Sequence, residues 1–198
     1  MSLFIPTYFS PISQYSEIIK SDTITFEVED NFQKQTYRNR CYIYGANGKQ
    51  LLNVPVSHPP VSHRKKTKDT LVSDEFPWQR HHFKSIKIAY RSSPFFEFYE
   101  DDIAVIFHKK YKYLLDVNID TFLFLNDALE LGKNHQQTIE YLVKSPLQDY
   151  RELANVKQEK KTPYKSYIQV FDDKYGFLEN LSILDLLFME GPNSFSYL

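Results

Sequence analysis

"LFIPTYFSPISQYSEIIKSDTITFEV", residues 3–28, decides the fold class. Leu3 to Ile5 form a short apolar run that Pro6 stops, which predicts a buried strand. Ser10-Pro11 has the form of an N-cap followed by proline at the first helical position. The helix it predicts, over 11–19, places Ile12, Tyr15 and Ile19 on one face. After Asp22, "TITFEV" is rich in β-branched and aromatic residues and predicts a second strand. A strand, a helix and a strand in this span predict a βαβ unit with its two strands parallel.

Outward from that unit, "KQTYRNRCYIYGANGKQLLNVPV" (34–56) reads as a β-hairpin. Asn47-Gly48 suits the two positive-φ positions of a type I′ turn. Residues 57–70 have no apolar period and read as a loop. Three helices are expected next. The first runs from about Asp74, with Phe76, Phe83, Ile86 and Tyr90 on one face. The second is capped at Ser93 and continues to about Lys110. The third runs from about Asp116 to Gly132, a C′ glycine. "QTIEYLV" (137–143) and "SYIQVF" (166–171) read as strands, with a long loop over 144–163. A last helix follows Ser182, which has capping-box spacing to Asp185, and Gly191-Pro192 ends it. The expectation is an α/β fold: one domain over 1–198, a mixed sheet with a βαβ opening, a hairpin and a helical middle segment.

Composition excludes several function classes. The formal net charge is -1, whereas a nucleic-acid binder presents a strongly basic surface. The lysine-rich stretches "RKKTK" (64–68) and "KQEKK" (157–161) read as solvated loops. Cys41 is the only cysteine, so no disulfide forms within the chain, and a reducing, cytoplasmic setting is expected. No run of eighteen apolar residues predicts a transmembrane helix. The N-terminus lacks the pattern of a signal peptide. Motifs for phosphate-binding loops, nucleophile elbows and dinucleotide binding are missing, and the sequence names no cofactor.

Ligands of parallel sheets sit beyond the carboxyl ends of the strands. Here those ends feed "PTYFSP" (6–11) and "EVEDNFQK" (27–34), the second leading directly into Arg38-Asn39-Arg40. Glu29 and Asp30 therefore share a neighbourhood with Lys34, Arg38 and Arg40. Arginine takes phosphate or carboxylate bidentately, which points to an anionic small molecule such as a nucleotide, a phosphosugar or an amino-acid derivative. A surface ion-pair cluster is the alternative reading. The histidines make a poor metal site, and none is expected. His81 and His82 are adjacent and point about 100° apart on a helix. His58 and His63 lack partners at zinc spacing. His82 falls one helical turn after Trp78, a pair that either packs or lines a cleft.

Three blocks carry a family resemblance: "IPTYFSPISQYSEIIKSD" with "FQKQTYRNRCYI" and "LLNVPV"; "WQRHHFKSIKIAYRSSPFFEFY"; and "YIQVFDDKYGFLENLSILDLLFMEGP". Together they resemble the WbqC-like proteins over nearly the whole chain. The family opens with Gln-Pro and a following Pro-Trp, where this chain has Ile5-Pro6 and Ser10-Pro11. The resemblance implies a role in O-antigen and other surface-polysaccharide assembly, with glycyl or aminoacyl transfer to a sugar as the suggested chemistry. On matching positions it marks Asp22, Lys34, Asn39, Arg40, Trp78, His82 and Tyr90 as site candidates.

Two functions follow as expectations. In a transferase, Arg38 and Arg40 would bind the anionic group, Lys34 would neutralise developing charge, and Asp30 or His82 would move the proton. In a non-catalytic protein of the same pathway, the chain would bind an enzyme or a nucleotide-sugar. Convergence of Asp30, Lys34, Asn39, Arg40 and His82 on one pocket favours the first, and dispersal the second.

Overall fold

A computed structural model of the chain describes residues 1–57, 65–158 and 164–198. The βαβ opening is present: β1 (Ser2–Phe4), α1 (Ile12–Ile18) and β2 (Thr23–Phe26), with β1 and β2 parallel and Leu3 opposite Thr25. Two late strands complete this sheet. β5 (Asn134–Gln137) pairs in parallel with β2, and β6 (Gln148–Asp149) in parallel with β1. The order is β5-β2-β1-β6. The chain thus steps outward from β1 to β2 to β5, then returns to the far side of β1. The hairpin, β3 (Arg40–Gly45) with β4 (Gly48–Asn53), is a separate antiparallel pair. Parallel and antiparallel pairings are therefore divided between two sheets.

The helical middle consists of α2 (Trp78–Tyr90), α3 (Phe96–His108) and α4 (Leu114–Ala128), with α3 packed between the other two. Phe122 of α4 meets Phe26 of β2 edge to face, centroids 5.1 Å apart. Asn118 of α4 donates to the carbonyls of Pro6 and Arg38. One buried amide thereby ties the segment after β1 to the approach to β3. Two short elements close the C-terminal part, α5 (Asp172–Tyr175) and α6 (Ile183–Glu190). Ile183, Leu184, Leu187 and Phe188 of α6 are all fully buried.

Several local expectations are corrected. The hairpin turns on Ala46 and Asn47, since Gly45 pairs with Gly48; the positive φ falls on Gly48 alone among these residues. Pro11, not Ser10, is the residue before α1, and the cap comes from far away: Asn180 Oδ1 accepts from Ser13 N–H at 2.9 Å. α2 starts at Trp78 rather than Asp74, because a residue preceding proline, here Phe76, is disfavoured in a helix. Ser93 bonds the carbonyl of Tyr90 and closes α2, while α3 starts at Phe96. α4 stops at Ala128, and Glu130 takes the first left-handed position.

The strand expected over 137–143 is displaced upstream. Its apolar residues lie outside the sheet, Ile139 being 92% exposed, while polar Asn134–Gln137 forms β5. Edge pairing there is secured by side chains: Gln136 donates to Thr25, and the His135 ring packs on Phe26 and Phe122. Strand propensity yields to such contacts. No strand forms over 166–171 either. Tyr167 and Gln169 point inward from an unpaired extended segment because both serve Asp185.

Asp185 does not close a capping box. Ser182 alone caps α6, accepting from Leu184 N–H. The Asp185 carboxylate is fully buried and accepts from Tyr90 (2.7 Å), Tyr167 (2.6 Å) and Gln169 (2.9 Å). Tyr90 in turn accepts from the backbone N–H of Tyr44 in β3. Burial raises the Asp185 pKa, and the three donated bonds only partly offset that. A carboxyl group raised on folding stabilises the protein fully below its unfolded pKa, and this contribution fades as pH rises through the folded value. Asp185→Asn is expected to remove that part of the pH dependence of urea unfolding. Asp185→Ala should cost about 1–3 kcal/mol for each hydroxyl left unpaired. In the same denaturation series Leu187→Ala should cost about 2–5 kcal/mol.

Candidate cleft at the carboxyl ends of the parallel strands

The order β5-β2-β1-β6 reverses direction between β1 and β6, and at such a point the loops leaving the two strands diverge and open a crevice. A cleft of about 550 Å³ lies there. Ile5 follows β1, Glu29 to Asn31 and Gln33 follow β2, and Asp149, Arg151, Glu152 and Asn155 belong to or follow β6; Arg38 and Tyr141 complete the lining. Backbone bonds fix the loops to one another. Tyr8 N–H donates to Tyr37 O at 3.0 Å, and Tyr37 N–H donates to Ala154 O at 2.9 Å.

Asp30 and Arg38 form a buried ion pair, with Arg38 Nη2 2.5 Å from Asp30 Oδ2. Thr67 Oγ1 donates to the other oxygen, Oδ1. Among the described residues Arg38 Nη1 has one, longer bond, 3.3 Å to Thr36 Oγ1. The neighbouring Glu29 is held by Lys66 and Lys68, whose hydrogen bonds lower its pKa. Residues 65–68 thus lie along 28–32, with Thr67 N–H on Asp30 O and Phe32 N–H on Lys65 O, instead of forming a solvated loop. Residues 58–64 of the loop, with His58 and His63, fall outside the described residues, as do 159–161 of the second lysine-rich stretch.

Arg151 organises the opposite wall. Its Nε and Nη2 bind the Asp149 carboxylate, and Nη1 and Nη2 donate to the carbonyls of Leu142 and Val143. The same guanidinium lies 3.6 Å from buried Glu27 and 5.2 Å from the centroid of the Tyr141 ring. Its hydrogen bonds hold the Asp149 pKa down. One side chain therefore fixes the 141–143 segment beside the cleft.

The sequence candidates separate into four groups. Asp30 and Arg38 line the cleft. Asp22 and Lys34 are exposed, and Asp22 stands before β2, at the opposite end of the strand. Arg40 opens β3 across from Asn53. Asn39, Trp78, His82 and Tyr90 are buried in packing roles. Asn39 donates to Val54 O and Asn53 Oδ1. The Trp78 ring meets His82 edge-on, and His82 Nδ1 bonds Tyr8 OH at 2.9 Å. Burial pushes the His82 pKa down to about 4, so the imidazole is neutral at pH 7. Among the described residues no group of three or more His, Cys, Asp or Glu side chains could hold a metal, and no helix is long and apolar enough to cross a membrane.

Sequence reasoning missed Asp149, Arg151, Glu152 and Asn155 because β6 has two residues and no period to read. It missed Lys66 and Lys68 because their partner, Glu29, is thirty-odd positions away. Breaking a buried ion pair strands the remaining charge. Arg38→Ala should therefore cost about 3–5 kcal/mol in urea unfolding, whereas Arg40→Ala, with no ion pair to lose among the described residues, should cost clearly less.

The WbqC-like protein family model matches residues 6–167, a span that contains every cleft residue named above except Ile5. No curated protein and no solved structure matches the chain. With most of its length matched, including the segments after β1, β2 and β6, the chain belongs to the WbqC-like protein family.

Proposed function

We propose that the protein is a cytoplasmic transferase of surface-polysaccharide assembly, acting on an anionic, sugar-bearing or aminoacyl donor held in the cleft between β1 and β6. The observation that carries this reading is the position of the cleft, at the reversal of strand order beyond the carboxyl ends of a parallel sheet. Its lining suits a hydroxylated ligand. Carboxylates and the amides of Asn31, Gln33 and Asn155 can engage neighbouring hydroxyls, and Tyr141 offers a ring face to a sugar. An anionic oxygen entering the cleft would gain the N–H groups of Arg38 Nη1 that Thr36 engages only weakly. In this reading Asp30 orients Arg38, and His82, neutral and buried beside Tyr8, takes no part in proton transfer.

A second reading is binding without chemistry, as a nucleotide-sugar-binding protein of the same pathway. It draws on the dispersal of Lys34, Asn39, Arg40 and His82 away from the cleft that Asp30 lines, and on the state of the cleft carboxylates: Glu29, Asp30 and Asp149 are each already held by a cation. Calorimetric titration with nucleotide-sugars, phosphosugars and aminoacyl compounds, followed by mass spectrometry of the mixtures with candidate acceptors, separates the two. Under the first reading a ligand binds and is consumed. Arg38→Lys then weakens binding about ten- to hundredfold, the loss of one charge-assisted hydrogen bond of about 1.5–3 kcal/mol. Binding without turnover supports the second reading. No binding by any of these compounds refutes both.

A further inference from the structure

The helical layer carries two grooves on either side of α3. Between α3 and α4 lies a groove of about 680 Å³, with Phe98, Val105, Leu123 and Phe124 in its lining and Asp102, Asp127 and Glu130 around them. On the other side α2 raises a ridge, Lys84, Ile88 and Arg91, which are neighbours at helical spacing, with Arg80 one turn earlier. A second groove, with Phe83, Phe107 and His108, runs beside this ridge. Phe98 is 76% exposed, Val105 65% and Ile88 63%. Single exposed apolar residues are ordinary, but these line two grooves, one with mostly acidic and one with basic side chains beside them.

The charges left over divide between the two grooves, apart from Glu97 and Asp101, which are exposed on α3 between them. The layer's own ion pairs, Lys87 with Glu100 and Lys109 with Asp120, are made internally. Among the described residues, Asp102, Asp127 and Glu130 on one side and Arg80, Lys84 and Arg91 on the other make no ion pair. A net charge of -1 conceals this division.

We propose that this face is a two-fold interface, and that its occupant is a second copy of the chain. Helices pack by setting the ridge of one into the groove of another. A two-fold axis running along the flank of α3 seats the α2 ridge of each copy in the acidic groove of its partner. The same rotation lays α3 of each copy over the groove between α2 and α3 of the other, so both grooves fill at once. Ile88 then lies among apolar side chains of the α3–α4 groove, while Lys84 and Arg91 face its acidic rim. This is the self-complementary arrangement that a closed dimer requires. A basic helix from another protein would cover the acidic groove and leave Ile88 and its ridge bare. An anionic membrane would attract the ridge, but Asp127 and Glu130 on the same layer would oppose it.

Sedimentation equilibrium of the full chain tests this. The wild type is expected at twice the 23.5 kDa chain mass. Lys84→Glu with Arg91→Glu, and separately Asp127→Lys with Glu130→Lys, should each sediment as monomers with unchanged far-ultraviolet circular dichroism. Mixed in equal amounts, the two variants should recover a dimer, because the reversed ridge meets the reversed groove while the native ridge meets the native groove. A monomeric wild type overturns the proposal, as do variants that stay dimeric alone or a mixture that stays monomeric. Binding of a basic amphipathic peptide or of anionic vesicles by a monomeric wild type would assign the face to another partner and overturn it equally.

Discussion

The fold depends on satisfying both edges of a three-residue strand. Ser2–Phe4 is buried, and its backbone donors and acceptors must find partners away from water. β2 supplies one edge from the next element in sequence. β6 supplies the other from residues 148 and 149, and the ladder is prolonged by Glu27 N–H on Phe4 O and Tyr150 N–H on Leu3 O. Because the second partner lies on the opposite edge of β1 from β2, the segments leaving β1 and β6 part, and the cleft opens between them. The candidate site follows from how the sheet is closed, before any side chain is considered.

What could be read in the sequence was local. The opening unit was legible because β-branched and apolar residues cluster in short runs around a proline-started helix, and the hairpin because its apolar runs flank a glycine-containing turn. What failed depended on distance along the chain. The cap of α1 is an asparagine at position 180, so Ser10 next to Pro11 offered a plausible but unused substitute. Ser182 and Asp185 have capping-box spacing, yet only the serine caps, because two tyrosines and a glutamine from elsewhere claim the carboxylate. The site was half legible for the same reason. Asp30 and Arg38 lie near a strand end that composition reveals, whereas Arg151 follows a two-residue strand defined only by its neighbour.

The buried candidates show how a family resemblance and a site can diverge. Trp78, His82 and Tyr90 occupy one helix face, and a pattern of aromatic and imidazole groups there is compatible with either a cleft or a core. Burial decides between them: the imidazole loses its charge and spends Nδ1 on Tyr8, and the Tyr90 hydroxyl spends its proton on Asp185. Such residues hold α2 against β3 and α6 and so position the hairpin root.

The clasp between the two ends of the fold has a consequence for how the chain reaches it. Ile12 N–H bonds Leu181 O, Ile183 N–H bonds Ser10 O, and Ser182 donates to the carbonyl of Phe9. Together with β6, these contacts join residues well over a hundred positions apart, and closing such loops is the slow part of folding. During synthesis the β1–α1–β2 unit emerges first but keeps both outer strand edges open until residues 134–149 have been made, and its helix start uncapped until Asn180 follows. An open parallel edge of this kind is where misassembly begins. The geometry that creates the cleft therefore also makes the early chain the part most in need of protection while the ribosome is still at work.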